Sequence, residues 1–149
     1  MSTKPDLKTF LLIFAGVIIF YLILSTIIVT EEERVIGTLR RAESLVEAED
    51  IGIIDIIDSE FYYQMYQYDD LRANIPSFFD RFDRIKIDLG DLKVSVFDTL
   101  AICSLKARIF AWADSMPVLL FGEVLGKSLA VVHFTKNDDR WLIRGIDVD

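Results

Sequence analysis

DLRANIPSFFDRFDRIKIDLGDLKVSVF, Asp70–Phe97, changes its apolar period partway along. Leu71, Ile75, Phe78, Phe82 and Ile85 recur at alternating spacings of four and three, the signature of one helix face. From Ile85 the period becomes two: Ile85, Ile87 and Leu89, then Leu92, Val94 and Val96, with Gly90-Asp91 as an irregularity between them. The stretch therefore predicts a helix over 70–85 that runs straight into a strand. Asp69 or Asp70 is placed to cap the helix. Pro76 conflicts with it, because a proline inside a helix removes a hydrogen bond and clashes with the preceding turn. Either the helix kinks there or it begins near Asn74, with Pro76 in its first turn.

Working upstream, residues 31–49 predict an amphipathic helix. Val35, Leu39, Ala42 and Val46 share one face. Glu31, Glu32 and Glu33 stand where the helix dipole favours negative charge, and Thr30 is a candidate N-cap. This helix is positioned to continue the apolar segment before it as a stalk. Residues 51–63 (IGIIDIIDSEFYY) also carry helical spacing at Ile53 or Ile54, Ile57 and Phe61, and QMYQYDD reads as a turn or a short extended piece. Downstream, Thr99–Ala113 is a long β-rich run broken by Ser115-Met116-Pro117. Leu119–Lys136 resumes it, with Gly122 and Gly126 marking bends. Asn137-Asp138-Asp139 predicts a hairpin turn before a last strand over Arg140–Val148. Helices followed by a strand meander make an α+β domain.

At the N-terminus, no charged residue occurs from Thr9 to Thr30, 22 in a row. The run Phe10–Val29 lacks charge and proline. About 20 residues at about 1.5 Å each cover the hydrocarbon thickness of a bilayer. The run is longer than the apolar core of a signal peptide and is followed by no small-residue cleavage pattern, so an uncleaved anchor is predicted. The expected organisation is a short tail at 1–8, a membrane helix at 9–30 and one domain at 31–149. Lys4 and Lys8 precede the helix, Glu31–Glu33 follow it, and Arg34, Arg40 and Arg41 come soon after. The short tail favours a single-pass signal-anchor in a bacterial inner membrane with the domain in the periplasm. Ala15, Gly16, Tyr21 and Ser25 are candidate contacts for a neighbouring membrane helix.

The domain carries 23 Asp and Glu against 14 Lys and Arg. Such an acidic body repels nucleic acid and anionic membrane surfaces. The chain's single cysteine, Cys103, excludes an intramolecular disulfide and a cysteine-based zinc cage, and no metal or other cofactor is expected. Gly122–Ser128 (GEVLGKS) imitates a phosphate loop, but only three residues separate Gly122 from Gly126-Lys127 where the motif needs four.

The order of elements, with FFDRFDRIKI leading into the strands and Trp141-Leu142-Ile143 after an acidic turn, resembles the nuclear transport factor 2-like superfamily, which includes SnoaL-like and ketosteroid isomerase-like domains. The resemblance covers Glu31–Asp149. It implies a cone-shaped domain of about three helices packed on a curved four-stranded antiparallel sheet, with a cavity inside. The usual hairpin between the second and third helices is missing here or reduced to a vestige in Tyr66–Asp69. Members of the superfamily include isomerases, dehydratases, cyclases, small-ligand binders and assembly modules. A similar layout of tail, membrane helix and periplasmic domain occurs in type IV secretion assembly proteins, which are usually longer.

An enzyme of this kind needs an acid or base in its cavity. Tyr62, Tyr63 and Tyr66 cluster near Asp55, Asp58 and Asp69, and His133 is the only histidine. None of them matches a catalytic position of the superfamily, so no catalytic residue is assigned. Candidate cavity-lining residues are Tyr62, Tyr63, Tyr66, Phe78, Phe82, Arg108, Phe110, Trp112, His133 and Trp141. Ala107, Ile109 and Ala111, small and on the alternate face, are the candidate docking face. The sequence predicts a non-catalytic, membrane-anchored accessory or assembly subunit that docks onto a membrane complex or a second copy of itself. The alternative is a binder of an apolar small molecule, or a lyase- or isomerase-type enzyme acting on one.

Overall fold

The computed structural model describes residues 7–149, apart from the side chains of Thr26 and Ile27. Most of the predicted tail, Lys4 included, lies outside the described residues. A division after Thr30 separates an N-terminal unit from a domain spanning Glu31–Asp149.

The N-terminal unit contains α1 (Leu7–Ile27). Its stretch Leu7–Ser25 is long and apolar enough to cross a membrane. Ser25 Oγ donates to the Leu22 carbonyl at 2.9 Å, which satisfies the hydroxyl within its own helix. Helix α2 (Glu31–Glu47) is a separate helix, since residues 28–30 between them are not helical. The predicted continuous stalk is therefore interrupted.

In the domain, α2 buries Val35, Leu39 and Ala42, the face its spacing marked. Glu49, with a φ of 54°, and the Asp50 N–H bonded to the Leu45 carbonyl at 2.8 Å close its C-terminal end. Asp50 then caps a 3₁₀ turn, Ile51–Ile56, by accepting from Gly52 N at 2.8 Å.

The helix expected over 51–63 is corrected here. After the 3₁₀ turn the chain is a strand, β1 (Ile57–Tyr63), parallel to the last strand through Ile57↔Ile143 and Tyr62↔Gly145. Isoleucines and aromatics fit a pleated surface as well as a helix, and the long-range pairing overrides the local period. A short hairpin follows, with Gln64 at positive φ joining β1 to β2 (Tyr66–Gln67). This is the reduced hairpin anticipated near Tyr66.

Helix α3 (Tyr68–Phe79) starts where the Asp70 carboxylate accepts from Gln67 N at 2.8 Å. It runs through Pro76 and stops one turn later, ahead of the predicted end at residue 85. Phe82 lies beyond the helix, and Ile85 belongs to β3 (Arg84–Phe97).

The remaining strands are β4 (Leu100–Ala113), β5 (Met116–Phe121), β6 (Ser128–Asn137) and β7 (Arg140–Val148). Asp114-Ser115 and Asp138-Asp139 both have positive φ at two consecutive residues, as tight hairpins require. The β3–β4 register shifts between Gly90 and Lys93, and Asp91 takes a φ of 51°. This is the bulge that Gly90-Asp91 announced.

The sheet has seven strands where four were predicted, in the order β2-β1-β7-β6-β4-β3, with β5 also on β4. The additional strands are β1 and β2, where the sequence shows helical spacing and a turn, and the division of Leu119–Lys136 between β5 and β6. One edge of β4 pairs with β3 along its length, while the other edge is shared by β6 over Leu100–Ala107 and β5 over Ile109–Ala113. The curled half-barrel closes over a core that includes Phe134, Ile85, Val35 and Cys103.

Candidate functional site

Alternation along β4 decides what the half-barrel holds. Ala101, Cys103, Leu105, Ala107 and Ala111 point inward and are buried, whereas Leu100, Ile102 and Lys106 are exposed on the other face. Facing them from β6, Ala130 and Val132 also point inward. Alanines where most cores carry Leu or Ile leave space between the sheet and the helices.

The result is an apolar cavity of about 400 Å³. Helix α2 supplies Leu39, Ala42 and Val46, and α3 supplies Leu71 and Ile75. Strand β1 gives Ile57, Phe61 and Tyr63, and β7 gives Ile143, Ile146 and Val148. Ala107 and Ile109 form part of the back wall, with Leu120 and Phe121 of β5 beside them. Among the described lining residues the Tyr63 hydroxyl is the one polar side-chain group, with no carboxylate or imidazole present. The volume falls within the usual range for small-molecule sites, about 300–1,000 Å³.

Of the predicted cavity residues, Tyr63 lines this space and the others do not. Arg108, Phe110 and Trp112 occupy the outer face of β4. There the Arg84 guanidinium stacks 3.8 Å from the centre of the Trp112 ring, and Arg108 lies 5.3 Å from that of Phe110. The face assignment is thus inverted. Ala107 and Ile109, predicted to dock a partner, line the cavity, and Ala111 is fully buried. Large side chains suggested a filled interior, but arginine stacking makes an outer position favourable for the aromatics. Phe78 in the last turn of α3 and Phe82 beyond the helix end pack edge to face at 5.2 Å. Tyr66 stacks on Tyr63 at 6.5 Å, outside the lining.

His133 is on the outer face, where its Nε2 meets the Asp147 carboxylate at 2.7 Å. Tyr62 lies beside it, 6.1 Å between ring centres, and covers Gly145 so closely that a Cβ there would fall 2.5 Å from the Tyr62 ring. His133, Asp147 and Tyr62 are therefore gathered on the outside of the sheet, away from the cavity. Asp58 is buried, and its carboxylate accepts from Glu60 N at 2.8 Å. Cys103 is buried, which pushes its thiol pKa up and keeps it protonated. Among the described residues no group of three or more His, Cys, Asp or Glu side chains could hold a metal.

Trp141 belongs to neither face group. It is buried at the start of β7 and donates its indole N–H to Glu31 Oε2 at 2.8 Å. Lys136 reaches the same carboxylate oxygen at 3.2 Å and Arg34 the other at 2.9 Å. The indole, then the two cations, hold Glu31 below its ordinary pKa, and Glu31 with Asp139 raises Lys136. This cluster ties the start of α2 to the β6–β7 turn. Around the sheet, Lys127 and then Arg108 lower Asp88, and Arg108 also donates to the Val124 carbonyl at 3.3 Å, which holds the 122–127 loop against β4.

A two-layer α+β domain with a half-barrel sheet, two helices and an apolar cavity between them is the nuclear transport factor 2-like fold, and solved structures bear this out. The chain superposes on a candidate scytalone dehydratase from Novosphingobium aromaticivorans with a TM-score of 0.65 and 9% identity, over 78% of this chain and 80% of that one. An NTF2-like protein with a cystatin-like fold from the same organism matches at a TM-score of 0.59 and 13% identity, over 97% and 89% of the two chains. The Bdellovibrio bacteriovorus protein Bd1075 matches at 0.63 and 12% identity over 76% of this chain, which spans 38% of that protein. No family model and no curated protein matches the sequence. At these identities the likeness defines the fold.

Proposed function

We propose that this chain is a non-catalytic binding module, held at a membrane by α1, whose domain takes an apolar small molecule into the cavity. The observation that carries this is the lining: a space of about 400 Å³ walled by aliphatic side chains and Phe, with one hydroxyl at Tyr63. Such a site rewards burial of apolar surface by about 25 cal/mol per Å², and its lining holds no carboxylate or imidazole beside the Tyr63 hydroxyl. Some neighbours in fold carry dehydratase or hydroxylase names, but the imidazole–carboxylate pair of this chain, His133 with Asp147, is on its outer face. Mass spectrometry of an organic extract of the purified full chain tests the reading. A retained apolar compound is expected with the native protein and is expected to be lost in Ala107→Phe. No compound, or equal retention by the variant, contradicts the proposal.

As part of the same proposal, the domain is on the periplasmic side of a bacterial inner membrane, a reading supported by Lys4 and Lys8 ahead of the uncharged run that starts at Thr9. A reporter fused after Asp149 that is active only in the cytoplasm would reverse this.

A second reading, an accessory subunit docked onto a membrane complex or a second copy, is favoured by the outer face of the sheet. Phe97, Leu100 and Ile102 are exposed there, with Phe97 opposite Leu100 in the β3–β4 register. Crosslinking of the full chain in detergent, repeated with Leu100→Glu, tests it. A crosslinked partner lost in the variant supports docking, and recovery only as a free monomer counts against it.

A further inference from the structure

We infer that the cleft between α2 and the start of β7 is a binding site for a phosphate-bearing anion. The cleft measures about 300 Å³ and is lined by Arg34, Arg41 and Arg140, with Gly37 and Thr38 on α2 and Asp139 on the opposite turn. Ile56 and Trp141 give it an apolar wall.

Three arginines line this one cleft in a domain that is otherwise strongly acidic, and their charges are not equally matched. Arg34 pairs with Glu31 Oε1 at 2.9 Å, approaches Asp139 Oδ1 at 3.7 Å and also donates to the Asp139 carbonyl. Lys136 shares the same two carboxylates, at 3.2 and 3.3 Å. These two cations and two anions balance. Arg140 makes one weak hydrogen bond, to the Asp55 carbonyl at 3.3 Å. Among the described residues the Arg41 side chain has no hydrogen bond or ion pair, whereas its neighbour Arg40 is paired with Glu43 at 2.8 Å. Two positive charges thus remain in the cleft. The Asp139 carboxylate is engaged by Lys136 and Arg34, so an incoming anion meets Arg41 and Arg140.

Gly37 points to the same use. It lies inside α2, where glycine is the poorest helix former after proline, and a Cβ there would touch nothing within 4 Å. The missing side chain leaves that wall of the cleft open. Arginine forks suit phosphate oxygens, and several forks approaching from different elements match a tetrahedral oxyanion better than a flat carboxylate. A free phosphate ester and a phospholipid headgroup offer this same chemistry.

The full chain carrying Trp112→Phe, in dodecyl maltoside micelles, leaves Trp141 as the reporter in the cleft wall. Its emission is titrated with sodium phosphate against sodium chloride at equal ionic strength, and separately with phosphatidylglycerol doped into the micelles. A saturable change with phosphate alone supports a free anion, and a saturable change with phosphatidylglycerol supports a headgroup. In either arm, Arg41→Gln with Arg140→Gln is expected to weaken binding at least tenfold. Gly37→Leu, which fills the cleft and keeps every charge, is expected to abolish it, with circular dichroism confirming that both variants are folded. No saturable change in either arm, or unchanged curves in both variants, overturns the site.

Discussion

The two faces of β4 are built from alternate residues of one strand, yet they have opposite characters. The inner face reads Ala101, Cys103, Leu105, Ala107 and Ala111, and the outer face reads Leu100, Ile102, Lys106, Arg108, Phe110 and Trp112. Ala101, Ala107 and Ala111 stand inside with Cys103, Leu105 and Ile109, while the two aromatic rings, Phe110 and Trp112, are outside, the reverse of the simple expectation. Helices α2 and α3 cover the inner face and supply the bulk that β4 lacks, although they leave a cavity unfilled. On the outer face the aromatics are held by arginines, so their area is partly covered without a second layer. A sheet face can therefore be interior because of what packs on it, with few large residues of its own.

Three substitutions or conditions sharpen this contrast, from the largest expected effect to the smallest. Phe134→Ala removes an inward ring that is 1% exposed, and urea unfolding is expected to show a loss of about 3–5 kcal/mol. A loss below about 1 kcal/mol would mean that the inner face is not the core. Trp112→Ala on the outer face deletes the Arg84 stack and should cost about 1 kcal/mol, leaving ligand retention unchanged. If it costs as much as Phe134→Ala, the two faces are not distinct. The smallest effect is the pH dependence at the α2 start. The Glu31 carboxylate is held below its ordinary value of 4.5 by the Trp141 indole and then by Lys136 and Arg34. A lowered carboxyl pKa stabilises the fold above that value, and the contribution fades as pH falls through it. Thermal melts of the native chain and Glu31→Gln should differ at pH 7 and converge toward pH 3. A difference independent of pH would contradict the role of the charged form.

Much of the architecture was legible in the residues. The spacing of Val35, Leu39 and Ala42 marked a buried helix face, and the change of period at Ile85 marked the entry to the sheet. Gly90-Asp91 and Asn137–Asp139 announced the bulge and the last hairpin, because glycine and aspartate tolerate the backbone those features need. Strand β1 was hidden, since Ile57 and Phe61 satisfy both periods and only the parallel partner, β7, decides between them. The cavity was hidden for a related reason. Periodicity separates the faces of β4, but which face the helices cover is a long-range fact, and Ala107 looks the same in either setting. The arginine cleft depends on which cations stay unmatched, and that emerges only when Glu31, Lys136 and Asp139 are seen together.

The central claim is that the alanine-lined side of β4 borders an accessible apolar cavity. Methyl NMR of the full chain under xenon pressure tests it most directly, because dry apolar cavities of this kind admit xenon. Shifts are predicted at Leu105, Val132 and Ile143 in the lining, with Ile102 and Leu129 on the outer face unmoved. Unshifted lining methyls, or equal shifts on both faces, would contradict it.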